Sequence, residues 1–298
     1  MNNNLKICFI GGDKRMVTAA SALHKCGYDV RVWGIDSQHF EYDLCKQTCE
    51  ETLNAADAVI LPIPPSEDDV RVNCPLYSKE SGIKIHKLFE ILPSKAVILG
   101  GRISPRLKDL ALKNNVKIYD YFNREELLIK NAVPTAEGAI GIAVDKYPKT
   151  IFGSDIAILG FGRIGEALAE RLRLLGANVT VFARKITSVA KAQSYGVNGK
   201  KIVYVNNVSS LTELSQGYDI IYNTVPYWII TEEILKDMKK TTLIVDLASA
   251  PGGVDMLAAK KYEVNLIHAL ALPGKTAPES AGIIVAESII NTLEEIFE

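Results

Sequence analysis

The sequence predicts an α/β protein built as two Rossmann-like domains with parallel sheets, joined by an interdomain helix. Three observations carry that expectation. The 298 residues correspond to about two domains at roughly 150 residues each. Short β-branched runs alternate with segments of helical period, which implies parallel pairing with helices on both sheet faces. The alternation also restarts at Gly153-Ser154, after a helix-like stretch that begins at Pro134.

Residues 6–10 read as the first strand and end at Gly11-Gly12. Residues 15–26 have helical spacing and stop at Gly27, and residues 29–33 form the second strand. The run 58–61 meets Pro62, Pro64 and Pro65, which lack the N–H needed to continue a regular element. Residues 96–99 close on Gly100-Gly101. Ser104 then caps a helix with Pro105 at its first position, and residues 116–119 are the fifth strand. Residues 134–144 form the joining helix. The second series places strands at 155–159, 178–182, 202–205, 219–222, 243–246 and 264–267. The expected domains are 1–132 and 133–298. The stretch 281–297, apolar on one face, is expected to pack back onto the first domain.

Composition excludes several classes. Hydrophobic residues make up 48% and charged residues 23%, ordinary for a globular chain and too apolar for disorder. A net charge of -1 gives no field to draw the protein to nucleic acid or an anionic membrane. Apolar runs such as 281–290 are broken by Gly282 and Glu287, short of a bilayer span. The N-terminus has no basic leader followed by an apolar stretch, so a cytoplasmic protein is expected. The five cysteines are scattered through the first quarter, and the four histidines are dispersed. No spacing completes a zinc site, so no metal is expected and the thiols read as small core residues.

The most specific motif is Gly160-Phe161-Gly162-Arg163-Ile164-Gly165, lying between a strand and an alanine- and leucine-rich helix. That strand–turn–helix context makes it a dinucleotide loop. Gly160 permits the tight turn, Gly162 lets a pyrophosphate approach the backbone, and Gly165 lets helix and strand pack closely. The N–H groups at the helix start, from Arg163 and Ile164 onward, hold the phosphates. The end of the next strand selects the nucleotide. An NAD site puts a carboxylate there for the ribose hydroxyls, whereas this chain has Ala183-Arg184-Lys185. Arg184 can fork onto a 2′-phosphate, so NADP is the expected cofactor. Asn223, Thr224 and Val225 follow a later strand and are expected under the nicotinamide ribose. The loop 246–253 follows the next strand, with Ala248 against the cofactor and Ser249 as a polar handle on substrate.

Gly11-Gly12-Asp13-Lys14-Arg15 ends the first strand but lacks the third glycine of a dinucleotide loop. Arg15 there is a substrate-binding candidate, with Asp13 either a base or simply the cap of the following helix. Asn131 and Thr135 are further candidates for substrate contact, with helix capping as the alternative for Thr135. Glu137 is the other candidate base.

Taken together, five motifs resemble the A-subunit family of dipicolinate synthase, from spore-forming bacteria, from end to end. They are Gly-Gly-Asp-x-Arg at 11–15, Val-Pro-Thr-Ala-Glu-Gly at 133–138 and Gly-Phe-Gly-Arg-Ile-Gly at 160–165. Asp-Leu-Ala-Ser-Ala-Pro-Gly-Gly at 246–253 and Leu-Pro-Gly-Lys-Thr-Ala-Pro-Glu-Ser-Ala-Gly at 272–282 complete the set. Pro273, in the last motif, joins the expected cofactor contacts. The resemblance implies a mother-cell enzyme of sporulation that works with the flavoprotein-like B-subunit of dipicolinate synthase, and a homo-oligomer is expected. The pair would oxidise dihydrodipicolinate to dipicolinate (pyridine-2,6-dicarboxylate), removing a hydride and a proton as the ring becomes aromatic. A dicarboxylate needs cations near it, and Arg15, Arg102, Arg124 and Lys275 are the nominees. Two alternatives stay open: another NADP-dependent dehydrogenase of a small hydroxy or keto acid, and an NADP-binding protein without catalysis. A hydroxyacid enzyme would want an arginine and a glutamate–histidine couple in the cofactor domain, where His268 is the sole histidine.

Overall fold

The computed structural model describes residues 4–79, 81–205, 208–249 and 252–298, with the backbone alone for 204–205 and 208–210. Ala250 and Pro251 of the expected ligand loop lie outside the described residues. The chain divides into two compact units, Met1–Asn131 with Ala277–Glu298, and Ala132–Thr276.

The first unit holds a five-stranded parallel sheet of β1 (Lys6–Ile10), β2 (Asp29–Trp33), β3 (Ala58–Ile60), β4 (Val97–Gly100) and β5 (Ile118–Asp120), in the order β2-β1-β3-β4-β5. The order reverses between β1 and β3, the switch point of a doubly wound sheet. Successive residues of β1 serve opposite faces. Ile7 and Phe9 enter one core and Cys8 and Ile10 the other, all at 0% exposure. Strands buried on both faces read as continuous apolar runs, which is why β1, β3 and β4 are plain in the sequence. The helices are α1 (Lys14–Lys25), α2 (Cys49–Leu53), α3 (Ile85–Glu90) and α4 (Pro105–Lys113). Ser104 caps α4, its side chain accepting from the Leu107 N–H, with Pro105 next.

The helix α5 (Glu125–Lys146) leads from the first unit into the second. It starts nine residues before the expected helix and carries Pro134 inside it. A proline removes one N–H donor and crowds the carbonyl four residues back, and the helix runs on through it with Ala132, Ala136 and Ala139 buried. By length and composition α5 passes as a bilayer span, an outcome not expected from residues 134–144 alone. Its Ala136, Ala139, Ile140 and Ala143 pack in the core of the second unit.

That unit holds β6 (Asp155–Leu159), β7 (Asn178–Ala183), β8 (Asn198–Lys201), β11 (Ile220–Asn223), β12 (Leu243–Asp246) and β13 (Asn265–His268), with a short antiparallel ribbon of β9 (Tyr204–Val205) and β10 (Val208–Ser209) between β8 and β11. The six-stranded sheet runs β13-β12-β11-β6-β7-β8, the doubly wound dinucleotide-binding order. Its main helices are α6 (Arg163–Leu174) and α7 (Ile186–Ser194), followed by the short helices α8 (Leu214–Gly217), α9 (Glu232–Leu235), α10 (Met256–Lys261) and α11 (Leu272–Thr276). Here the expectation misplaced one strand. The apolar run 202–205 is not the sheet edge; Asn198–Lys201 pairs with β7 instead. An edge strand tolerates lysines because one of its sides faces water.

The last helix, α12 (Pro278–Phe297), belongs to the first unit. Val285, Ala286, Ile289 and Leu293 enter its core beside Met16 and Leu23 of α1. The crossing is close enough that a Cβ on Gly282 would sit 2.5 Å from Thr18 Cβ and 2.7 Å from the Arg15 carbonyl oxygen. The Ser288 hydroxyl donates to the Tyr121 carbonyl at 2.7 Å, anchoring α12 beside β5.

Candidate functional site

In the second unit β6 lies at the switch point, with β7 on one side and β11 on the other. Ligands of such sheets bind outside the carboxyl ends of the strands at that point, and the glycine loop lies there. Gly160 has a left-handed φ of +91°, and a Cβ on it would meet Thr224 Oγ1 at 2.4 Å. Gly165 is buried, with its Cβ position 2.3 Å from the Gly160 carbonyl oxygen. Gly162 differs from both. It is exposed and caps the N-terminus of α6, and nothing lies within 4 Å of its Cβ position. The space a side chain would fill is open directly over the first N–H groups of a twelve-residue helix, the geometry that receives a phosphate. Arg163 beside it is exposed, and Ile164 is half-buried against the core.

Arg184 follows β7, exposed, with its guanidinium carbon 5.9 Å from the centre of the Tyr227 ring. A cation over an aromatic face is held electrostatically. Ala183-Arg184-Lys185 puts no carboxylate at this strand end.

The loop after β11 is tied across the sheet. Thr224 donates from both N–H and Oγ1 to the Leu159 carbonyl, at 2.9 and 2.8 Å. The Val225 N–H donates to Asn223 Oδ1 at 3.1 Å. Asn223 is fully buried, and its amide donates to Asp246 Oδ1 at 2.8 Å. The Ala248 N–H reaches the same oxygen at 3.2 Å. Asp246 Oδ2 faces His268 Nε2 at 3.9 Å. Ala248 is buried and Ser249 exposed, and Pro273 is buried in α11.

Asn223 is legible in the sequence, whereas Asp246 and His268 become a pair only in the fold. They stand opposite each other in register on adjacent strands. A carboxylate at one strand end and an imidazole at the next was the available signal.

Thus Gly160, Gly162, Gly165, Arg184, Asn223, Thr224, Val225 and Ala248 gather on the carboxyl edge of one sheet. The substrate candidates are spread differently. Asp13 and Arg15 belong to the first unit, where Asp13 caps α1 by accepting from the Arg15 N–H at 2.9 Å. The Arg15 guanidinium, 12% exposed, meets Asp13 Oδ2 at 2.7 Å through Nη2, which also donates to the Ile63 carbonyl at 2.9 Å. Asn131 is half-buried on α5. Thr135 is buried inside that helix, ten residues past its start, so capping is not its role. Glu137 is exposed on α5 with Arg171 Nε 3.4 Å away. Among the other cations, Arg124 forks both terminal nitrogens onto Glu295 at 2.7 Å. Bonds to Glu295 and then Glu126 hold its proton more firmly than usual, a tie between the start of α5 and the end of α12. Arg102 lies 5.6 Å over the Phe122 ring, and Lys275 is exposed on α11.

Residues 6–122 match the family model of the N-terminal domain of the dipicolinate synthase A-subunit, and residues 135–254 that of the NAD-binding domain of D-isomer-specific 2-hydroxyacid dehydrogenases. The chain is 33% identical to the dipicolinate synthase A-subunit of Bacillus subtilis over 298 residues, spanning 99% of this chain and 98% of that one. The crystal structure of the Bacillus halodurans A-subunit superposes with a TM-score of 0.86 at 28% identity, covering 98% of both chains. The crystal structure of the Bacillus subtilis protein gives 0.85 at 31% identity, covering 98% of this chain and 97% of that one.

Proposed function

The chain belongs to the A-subunit family of dipicolinate synthase, and from that premise we propose that it oxidises dihydrodipicolinate to dipicolinate with NADP. In this reading it works with the flavoprotein-like B-subunit in the cytoplasm of a sporulating mother cell, and copies of the chain associate with one another. The observation that carries the reading is the end-to-end family match, at 99% of this chain, joined to a second unit with dehydrogenase strand order.

The residues present fit a phosphorylated nicotinamide nucleotide. Open space over Gly162 accommodates a pyrophosphate, and Arg184 supplies a guanidinium where NAD enzymes use a carboxylate. Bound there, the nucleotide supplies a hydride acceptor. The chain's own residues do the rest. The α6 N-terminus fixes the phosphates, and Asn223, Thr224 and Val225 hold the loop that orients the nicotinamide half. Arg15, Asn131, Thr135 and Ser249 are proposed to contact the dicarboxylate, and Glu137 or Asp13 to take the proton. Positioning of this kind can supply on the order of 7–11 kcal/mol in the best cases.

Thermal unfolding of the chain with dipicolinate, with and without NADP, tests the substrate class. A ligand that binds only the native state raises the midpoint by mass action. A shift with dipicolinate that grows when NADP is present is expected. No shift at millimolar dipicolinate, with or without the B-subunit, removes the substrate reading and favours a small hydroxy- or keto-acid dehydrogenase.

A further inference from the structure

Leu159, Asn223, Asp246 and His268 form one row across the sheet of the second unit, each paired in register with the next. Leu159 is the last residue before the glycine loop. With Arg184 taking the adenosine end beyond β7, the nicotinamide end of a dinucleotide extends the other way, over β11, β12 and β13. Asp246 and His268 therefore stand on the reacting side.

Their environments complement each other. Asp246 is 1% exposed, and its Oδ1 is taken by the Asn223 amide and the Ala248 N–H. Its other oxygen faces His268 Nε2 at 3.9 Å, and the Ala248 carbonyl oxygen lies 3.5 Å from the same nitrogen. Carboxylate and carbonyl are acceptors only, so the proton of a neutral imidazole belongs on Nε2. Nδ1 is then the nitrogen with the lone pair. The His268 side chain is 34% exposed, which gives it a path to water. Among the described residues Asp246 is the carboxylate within 4 Å of the His268 ring nitrogens.

We infer that His268 Nδ1 is the proton acceptor of the oxidation, and that Asp246 is a positioning residue that sets the imidazole tautomer. This rests on the dihydropyridine reading given above and replaces Glu137 and Asp13 in the role of base. In the step, a ring C–H bond breaks and its electron pair leaves as hydride to the oxidised nicotinamide nucleotide. With the ring in a dihydro form that carries an N–H, that bond breaks with its electrons staying in the ring, which becomes aromatic, and the proton forms the new bond to His268 Nδ1. The imidazolium is stabilised by the Asp246 carboxylate and passes its proton to solvent.

The test uses the full chain reconstituted with the B-subunit, NADP and dihydrodipicolinate. His268→Gln is expected to lower kcat by about 10²–10⁴-fold, the usual worth of a general base. NADP affinity measured by calorimetry should stay within a few-fold. His268→Ala should recover activity when imidazole is added, which no loss of packing would allow. Independently of turnover, ¹⁵N spectra of the wild-type chain should show His268 protonated at Nε2, and Asp246→Asn should shift it toward the Nδ1–H form. Wild-type kcat in His268→Gln, or an Nδ1–H tautomer in the wild-type chain, overturns the assignment alone. No turnover by the wild-type assembly overturns the dihydropyridine reading, and the assignment falls with it.

Discussion

The Asn223 side-chain amide donates to Asp246 Oδ1 at 2.8 Å, with the two residues 0% and 1% exposed. A buried carboxylate needs hydrogen-bond donors, and this one draws them from the neighbouring strand and from its own loop. The space is tight, since a Cβ on Gly253 would lie 2.0 Å from Asn223 Nδ2. Asn223→Leu keeps the volume and removes the donor. It should cost about 1–3 kcal/mol, the penalty for leaving a buried polar group unsatisfied, read as a lowered denaturant midpoint at constant slope. An unchanged midpoint would mean that water replaces the amide.

Two glycines of one motif should fail in opposite ways. Gly162→Val places its side chain in open space at an ordinary φ of −99°, so the fold should persist while NADP binding is lost. Gly165→Val drives a side chain against the Gly160 carbonyl, 2.3 Å from the Cβ position. Overpacking of that kind costs about 1–3 kcal/mol. Calorimetry and thermal melts of both variants separate the effects. Normal NADP binding by Gly162→Val would reduce the loop to an ordinary turn.

Arg184→Ala should weaken NADP by about 1.5–3 kcal/mol, the worth of a hydrogen bond to a charged group, and leave NAD nearly unchanged. Parallel titrations with the two nucleotides decide it. Equal losses for both would place the guanidinium elsewhere than on the 2′-phosphate.

Burial pushes the thiols of Cys8, Cys49 and Cys74 up to about 12, because desolvation disfavours the thiolate. At pH 8 roughly one such thiol in ten thousand is ionised. Cys26 is exposed at the end of α1. Brief alkylation of the native protein, mapped by mass spectrometry, should modify Cys26 and spare those three. Modification of Cys8 at the same rate would show that the first sheet opens.

Much of this fold is legible in the residues themselves. The spans of β1, β2, β6 and β12 coincide with runs read directly from the chain: β1, β6 and β12 are nearly continuous apolar runs buried on both faces, and β2 alternates Val30, Val32 and Trp33 with polar positions. The Ser104-Pro105 start and the glycine loop are equally local. What escaped depends on partners distant in sequence. Asn198–Lys201 becomes a strand only because β7 offers an edge, and its Asn-Gly-Lys-Lys composition carries no strand signal. Arg124 looks like a free cation until α12 brings Glu295 to it from 171 residues away. Asp246 and His268 are 22 positions apart, and sheet register alone makes them neighbours.

The most direct measurement is turnover by the chain together with the B-subunit, supplied with dihydrodipicolinate and NADP, following both products at once. NADPH and dipicolinate should appear in equal amounts, and omission of either protein should slow both together. Dipicolinate formed without NADPH would contradict the assignment of the hydride to this chain's nucleotide. NADP reduction with a hydroxyacid but not with dihydrodipicolinate would contradict the substrate.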